Sequence, residues 1–209
     1  MLVVVGLSVL VMAFVMTTVV FGIRTTTANG ARLDDAAAAR VAITSLTKNL
    51  RAAVSPRNVN GLECSSCNQG LIQSGNAQTL TVLANIQVDQ GAAGSAPKKI
   101  TYRVNRIGSA NFGELVEQIQ DPAVTGSNFS YCVPGPGCAV RSRVLAQVPW
   151  PVTGLFSYYL ADGSVATNPA TSAVWSVDIV LSIDARGDSR VKPMTSTARV
   201  VLPNALAGN

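Results

Sequence analysis

Histidine is absent from this sequence. With it go the His-dependent catalytic triads, the usual catalytic zinc centre and the imidazole general base. A G-x-S-x-G run is missing too, which removes the nucleophile elbow of the common hydrolase fold. Charged residues are only 13% of the chain. Small and hydroxylated residues take their place, a surface chemistry that suits an exported protein better than a cytosolic enzyme. The net charge of +5 is modest, and the basic residues are scattered as singles and pairs, such as Lys98 with Lys99, Arg141 with Arg143 and Arg186 with Arg190. Charge alone therefore does not indicate a nucleic-acid footprint. We expect no catalytic site, no cofactor and no metal.

What is abundant is oil-seeking side chain at one end. Residues 1–23 read MLVVVGLSVLVMAFVMTTVVFGI, without a charge or a proline. As a helix this run covers about 33 Å at roughly 1.5 Å per residue, close to the roughly 30 Å hydrocarbon thickness of a bilayer. A cleaved secretory signal would carry a basic flank and a core of about 7 to 15 residues, and a helix apolar on every face is rare in a soluble core. The expectation is a membrane-spanning anchor in contact with lipid. The positive-inside rule does not orient the anchor, because it compares the two flanks of a span and only one flank stands in this sequence; Arg24 and Arg32 on that flank weigh slightly against sending the remainder outward. Cysteine usage and composition argue for it.

Residues 24–55 continue as an amphipathic helix. Ala36, Ala39, Ile43, Leu46, Leu50 and Ala53 follow at steps of three and four, which places them on one face. Arg40, Lys48 and Arg51 fall on the other side. Asn29-Gly30 is the expected weak point between the two halves, because glycine costs about 1 kcal/mol relative to alanine in a helix. Pro56 should stop the helix at or near Val54 or Ser55.

From residue 56 to 209 the periodicity changes. A loop rich in Asn, Gly, Ser and Gln spans 58–76, and runs of alternating or β-branched residues at 79–87, 99–105, 114–120, 140–148, 155–160, 175–183 and 195–202 read as strands of an antiparallel sheet. Trp175, Val177, Ile179, Leu181 and Ile183 share one face of their strand, which marks it as buried on one side and wet on the other. Residues 161–164 and 185–188 are turn signals. The fold class is α+β: a long N-terminal helix packed on an antiparallel β-sheet.

The four cysteines, Cys64, Cys67, Cys132 and Cys138, lie in loop-like surroundings and favour two disulfides. Local pairing, Cys64 with Cys67 and Cys132 with Cys138, is the first choice. Crossed pairing is the alternative, and a four-thiolate zinc site is disfavoured by the wide second spacing. Arg186-Gly187-Asp188 spells an adhesion tripeptide but suits a hairpin tip better, and Asn128-Phe129-Ser130 fits a glycosylation acceptor. Glu114 with Glu117 could be imagined as an acid and base pair. Asp34 with Asp35 could too, although an early helical position would favour their negative charge anyway.

The order of an apolar run, a long amphipathic helix, a looped region and an antiparallel sheet resembles type IV pilin-like proteins, of the pseudopilin or minor-pilin kind. Met1-Leu2-Val3-Val4-Val5-Gly6-Leu7-Ser8-Val9-Leu10 is similar to the part of that family's signature after its glutamate. Arg32 to Arg51 resembles the continuing helix, and Val200-Val201-Leu202-Pro203-Asn204 the terminal strand. The family's basic leader, cleaved glycine and glutamate do not stand before this run, so the natural start is expected upstream of Met1 and no processing residue is carried over. The resemblance implies a structural subunit of a pilus, pseudopilus or related secretion or DNA-uptake filament. Its partners would be membrane lipid, other pilin-like subunits and the assembly machinery. It also implies a single-pass membrane protein with an extracytoplasmic C-terminal domain, displayed at the cell surface once assembled. The alternative is a membrane-anchored extracytoplasmic module that binds DNA or a secreted substrate.

Overall fold

Nothing interrupts the main-chain hydrogen bonding where the apolar and amphipathic runs meet. In the computed structural model they form one helix, α1 (Leu2–Arg51), of 50 residues, about 75 Å long at 1.5 Å per residue. The structure describes residues 2–59, 63–65, 67–68, 70–86, 96–108, 111–126, 128–133, 135, 137–184 and 192–205. Asn29-Gly30 is passed without a break. The cost of a single glycine is small beside the hydrogen bonds on either side of it.

The helix ends at Arg51, earlier than the proline rule places it, because a strand takes over its last backbone groups. Ala53 bridges to Ala84, the Val54 amide donates to the Leu83 carbonyl at 2.8 Å and the Asn85 amide to the Ala52 carbonyl at 3.0 Å. From the C-terminal end, Asn204 Nδ2 donates to the Ala53 carbonyl at 2.6 Å. Pro56–Asn58 then forms a 3-10 turn.

The strands separate into three sheets rather than one. In chain order they are β1 (Glu63–Cys64), β2 (Ile72–Gly75), β3 (Thr79–Ala84), β4 (Lys98–Arg106), β5 (Phe112–Gln120), β6 (Ala123–Thr125), β7 (Asn128–Ser130), β8 (Val140–Pro149), β9 (Phe156–Tyr159), β10 (Ser176–Ile183) and β11 (Met194–Val201). The largest sheet has the order β2-β3-β4-β5-β8, the second β11-β10-β9, the third β1-β7-β6. The first two are antiparallel throughout. In the third, β1 runs parallel to β7.

Strand β2 falls in the stretch expected to be loop. It is held by Ile72, buried opposite Val82, and by Gly75, where a Cβ would meet the Tyr158 hydroxyl at 2.7 Å and Pro169 Cγ at 2.9 Å. Only glycine admits that approach. At the 161–164 turn, Gly163 takes φ 83°, and the Leu160 amide closes the turn on the Ser164 carbonyl at 2.9 Å. The turn expected at 185–188, with Arg186-Gly187-Asp188, lies outside the described residues.

The main core lies between α1 and the two larger sheets. Leu46, Leu50, Leu80, Ile100, Leu115 and Ile179 are each 0% exposed, and α1 packs against β3, β8, β10 and β11. The inward parity of β10 is as its alternation requires: Val177, Ile179, Leu181 and Ile183 are buried and Val180 is exposed. On the opposite face of the five-stranded sheet a smaller core of Cys64, Leu83, Ala96 and Phe129 seats the third sheet.

Removing a large side chain from this interface leaves a cavity, so Leu50→Ala should destabilise the full chain by about 2–5 kcal/mol. Val41→Ala, at an exposed position of the same helix, should change stability by less than about 0.5 kcal/mol. Denaturant unfolding of the detergent-solubilised chain distinguishes the two, and equal effects would contradict the assignment of the buried face.

Candidate functional site: an exposed apolar helix and the clamp that holds it

From Val3 to Thr27 every helix side chain whose burial is described is exposed. Val3 is 82% exposed, Phe14 73% and Phe21 71%. This is the one helix, among the described residues, long and apolar enough to cross a membrane. Its hydroxyl groups need no water, because each turns back onto its own helix. Ser8 Oγ donates to the Val4 carbonyl at 2.9 Å, Thr17 Oγ1 to Ala13 at 2.7 Å and Thr18 Oγ1 to Phe14 at 2.7 Å. Thr25, Thr26 and Thr27 repeat the pattern on Phe21, Gly22 and Ile23. Hydroxyls satisfied by the i−4 carbonyl are compatible with hydrocarbon, where an unpaired polar group costs several kcal/mol.

The lower half of α1 is seated by a stripe and by a polar clamp. Of the expected packing face, Ala39, Leu46, Leu50 and Ala53 are buried, while Ala36 and Ile43 sit half-buried on its flank. Ala31, Asp35, Ala42 and Asn49 complete the buried stripe. Asp34 and Asp35 lie in mid-helix, so the helix-terminus argument for their charge does not hold. Arg40, Lys48 and Arg51 are exposed.

The clamp centres on Glu117, whose side chain is 0% exposed. Its position on β5 is inward, between Leu115 and Ile119. Ser45 Oγ donates to Glu117 Oε1 at 2.7 Å, Asn49 Nδ2 at 3.1 Å and Tyr102 Oη at 2.8 Å. Arg143, opposite Glu117 in the β5–β8 register, donates from Nε to Oε2 and from Nη2 to Ser45 Oγ at 2.8 Å. Helix and sheet are thus joined through one carboxylate, and Arg143, 57% exposed, opens one end of the pair to water. Burial by itself would raise the Glu117 carboxyl, but the hydrogen bonds from Arg143, Ser45 and Tyr102 outweigh it and hold it below the usual glutamate range. Burial pushes the Tyr102 phenol up and the neighbouring carboxylate adds to the shift, so the ring keeps its proton.

This network was not foreseen, although two signals were present. Ser45 and Asn49 are polar residues one turn apart in an apolar stripe, and Glu117 occupies a strand position whose neighbours two residues away are apolar. The imagined pairing of Glu114 with Glu117 fails on strand parity, which puts them on opposite faces of β5.

Both cysteine pairs are closed locally: Cys64 with Cys67 at a Cα separation of 5.3 Å, Cys132 with Cys138 at 5.7 Å. The sulfurs are therefore not thiolate ligands. Asn128 opens β7 with an exposed side chain. Among the described residues no group of three or more Cys, Asp or Glu is arranged to hold a metal ion.

Because the Glu117 carboxyl is held below its ordinary value of 4.5, its contribution to stability is fully present above that pH. It is lost as the pH falls through the folded-state value. Glu117→Gln should cost about 1–3 kcal/mol at neutral pH by leaving Arg143 without its anion. The gap between the two proteins should close on acidification. Unfolding measured from neutral to acid pH tests this, and a gap that stays constant would contradict the clamp. Compared with protein-family models and with curated proteins, the chain matches none.

Proposed function

We propose that this chain is a membrane-anchored structural subunit of a filament of the type IV pilin-like kind: a pilus, a pseudopilus or a related secretion or DNA-uptake fibre. Its helix rests in the membrane until it is packed among copies of itself, and the sheet domain is carried outside the cytoplasm and displayed on the fibre surface. The observation that carries this reading is the unbroken course of α1 from an apolar half whose described side chains are all exposed into a half locked onto the sheets. A joint of that kind passes any force or position taken up by the free half directly to the domain.

The physical basis is an exchange of one oily environment for another. A helix apolar on every face is satisfied by lipid tails or by neighbouring helices, and moving between them exposes no apolar surface to water. Where helices meet in lipid, small residues let backbones approach. Gly6, Ser8, Ala13, Thr17 and Thr18 supply them. A Cβ at Gly6 or Gly22 would meet nothing within 4 Å inside the subunit, so internal packing does not call for glycine at either position. Disulfides closing both surface loops support an oxidising compartment for the domain.

Site-directed cross-linking tests the reading. Ala13→Cys in the full chain, expressed in membranes and oxidised, should give a covalent dimer, the one product that a single added thiol per chain allows, and adding Gly6→Leu should weaken its formation severalfold. Cross-linking confined to monomer at every position tried along residues 3–23 would leave a simple tether and overturn the filament subunit.

A further inference from the structure

The face of the five-stranded sheet turned away from α1 carries a cleft of about 510 Å³, within the size range of small-ligand sites. Its floor is formed by outward residues of β3, β4 and β5. Thr81 Oγ1 and Thr101 Oγ1 lie 3.1 Å apart, and Gln118 reaches Ser142 Oγ at 3.1 Å.

One disulfide borders this cleft and the other is tied to it through a lining side chain. Cys67 lines one wall, closed by its bridge to Cys64. That wall is stiffened by Gln73 Nε2, which donates to the carbonyls of Asn68 at 2.8 Å and Gly70 at 2.7 Å. On the other side Gln120, which also lines the cleft, donates from Nε2 to the Cys132 carbonyl at 2.8 Å and so ties in the Cys132–Cys138 loop. A covalently closed loop at one wall and a second one hydrogen-bonded to Gln120 limit the conformations of the lining, which lowers the entropy cost of binding.

The chemistry of the lining is one-sided. Threonine, serine, asparagine and glutamine dominate, Lys99 and Arg103 supply positive charge, and no carboxylate or aromatic ring is among the described lining residues. Arg103 is exposed and makes no ion pair with a described residue. Among the described residues Lys99 has only the Tyr131 ring, 5.8 Å away. The nearby Asp121 is already engaged by Lys98 at 2.9 Å and by Arg141.

From this arrangement we infer that the cleft binds an acidic oligosaccharide of the uronic-acid type. Its hydroxyl groups meet the Thr, Ser, Asn and Gln side chains and its carboxylates meet Lys99 and Arg103. Single-stranded nucleic acid would lack a ring on which to stack its bases, and a neutral sugar would leave both cations without an anion.

The test is a titration of the full chain in detergent micelles with hexagalacturonate, using maltohexaose and short duplex DNA as comparison ligands. Saturable binding of hexagalacturonate that weakens with salt and exceeds that of maltohexaose is expected. Arg103→Gln and Lys99→Gln should each weaken it about tenfold, the loss of one charge-assisted hydrogen bond. Lys48→Gln, on the other side of the sheet, should not change it. Unchanged thermal transitions in the variants establish that the fold is intact. No saturable binding at low salt, affinity unchanged from the unsubstituted protein in the Arg103 and Lys99 variants, or duplex DNA or maltohexaose binding as tightly as hexagalacturonate would each overturn the inference.

Discussion

Between Thr27 and Ala31 the surroundings of α1 change from open to packed while its hydrogen bonding does not change at all. That continuity is the constraint to which the other features answer. A free helix of this length cannot leave its apolar half in water, where every buried CH₂ gained elsewhere would be worth about 0.8 kcal/mol. The proposed function requires the packed half to be held firmly enough that the sheets follow the apolar half. Buried alanines at 31, 39 and 42 keep the packed side of the helix slim, and Leu46 and Leu50 contribute the apolar area.

Apolar contact alone would let such a helix rotate or slide by a residue. The Glu117 clamp opposes this, because Ser45 and Asn49 reach the same carboxylate oxygen only in one rotation of the helix. A buried ion pair is a poor source of net stability but is a good device for fixing register. Here each polar member is satisfied, and no described buried side-chain polar atom lacks a partner. Asn204, reaching from beyond β11 to the Ala53 carbonyl, fixes the position along the axis from the other end of the chain.

Much of this was legible in the residues. Steps of three and four mark the seated face of α1, and alternation marks β3, β4, β5, β8, β9, β10 and β11 within a few residues. The partition into three sheets was not legible, since a period of two tells which side of a strand is buried and nothing about its neighbour. Strand β2 escaped because its four residues, Ile72 to Gly75, contain one apolar side chain and a glycine whose role depends on Tyr158 from a distant strand. The clamp escaped for the same reason. Ser45, Asn49, Tyr102, Glu117 and Arg143 meet only after α1, β4, β5 and β8 have assembled, and the sole local trace is polarity at inward positions. The cleft beyond the sheet is a property of register, in which Thr81 stands opposite Thr101 and Thr101 opposite Gln118.

The central claim is that residues 3–23 require a non-aqueous environment and that the rest of the chain is carried by them. Flotation of the full chain with lipid vesicles after an alkaline wash tests it directly. The account predicts that the protein stays with the lipid and is released only by detergent. Recovery of a soluble monomer from the wash without detergent would contradict it.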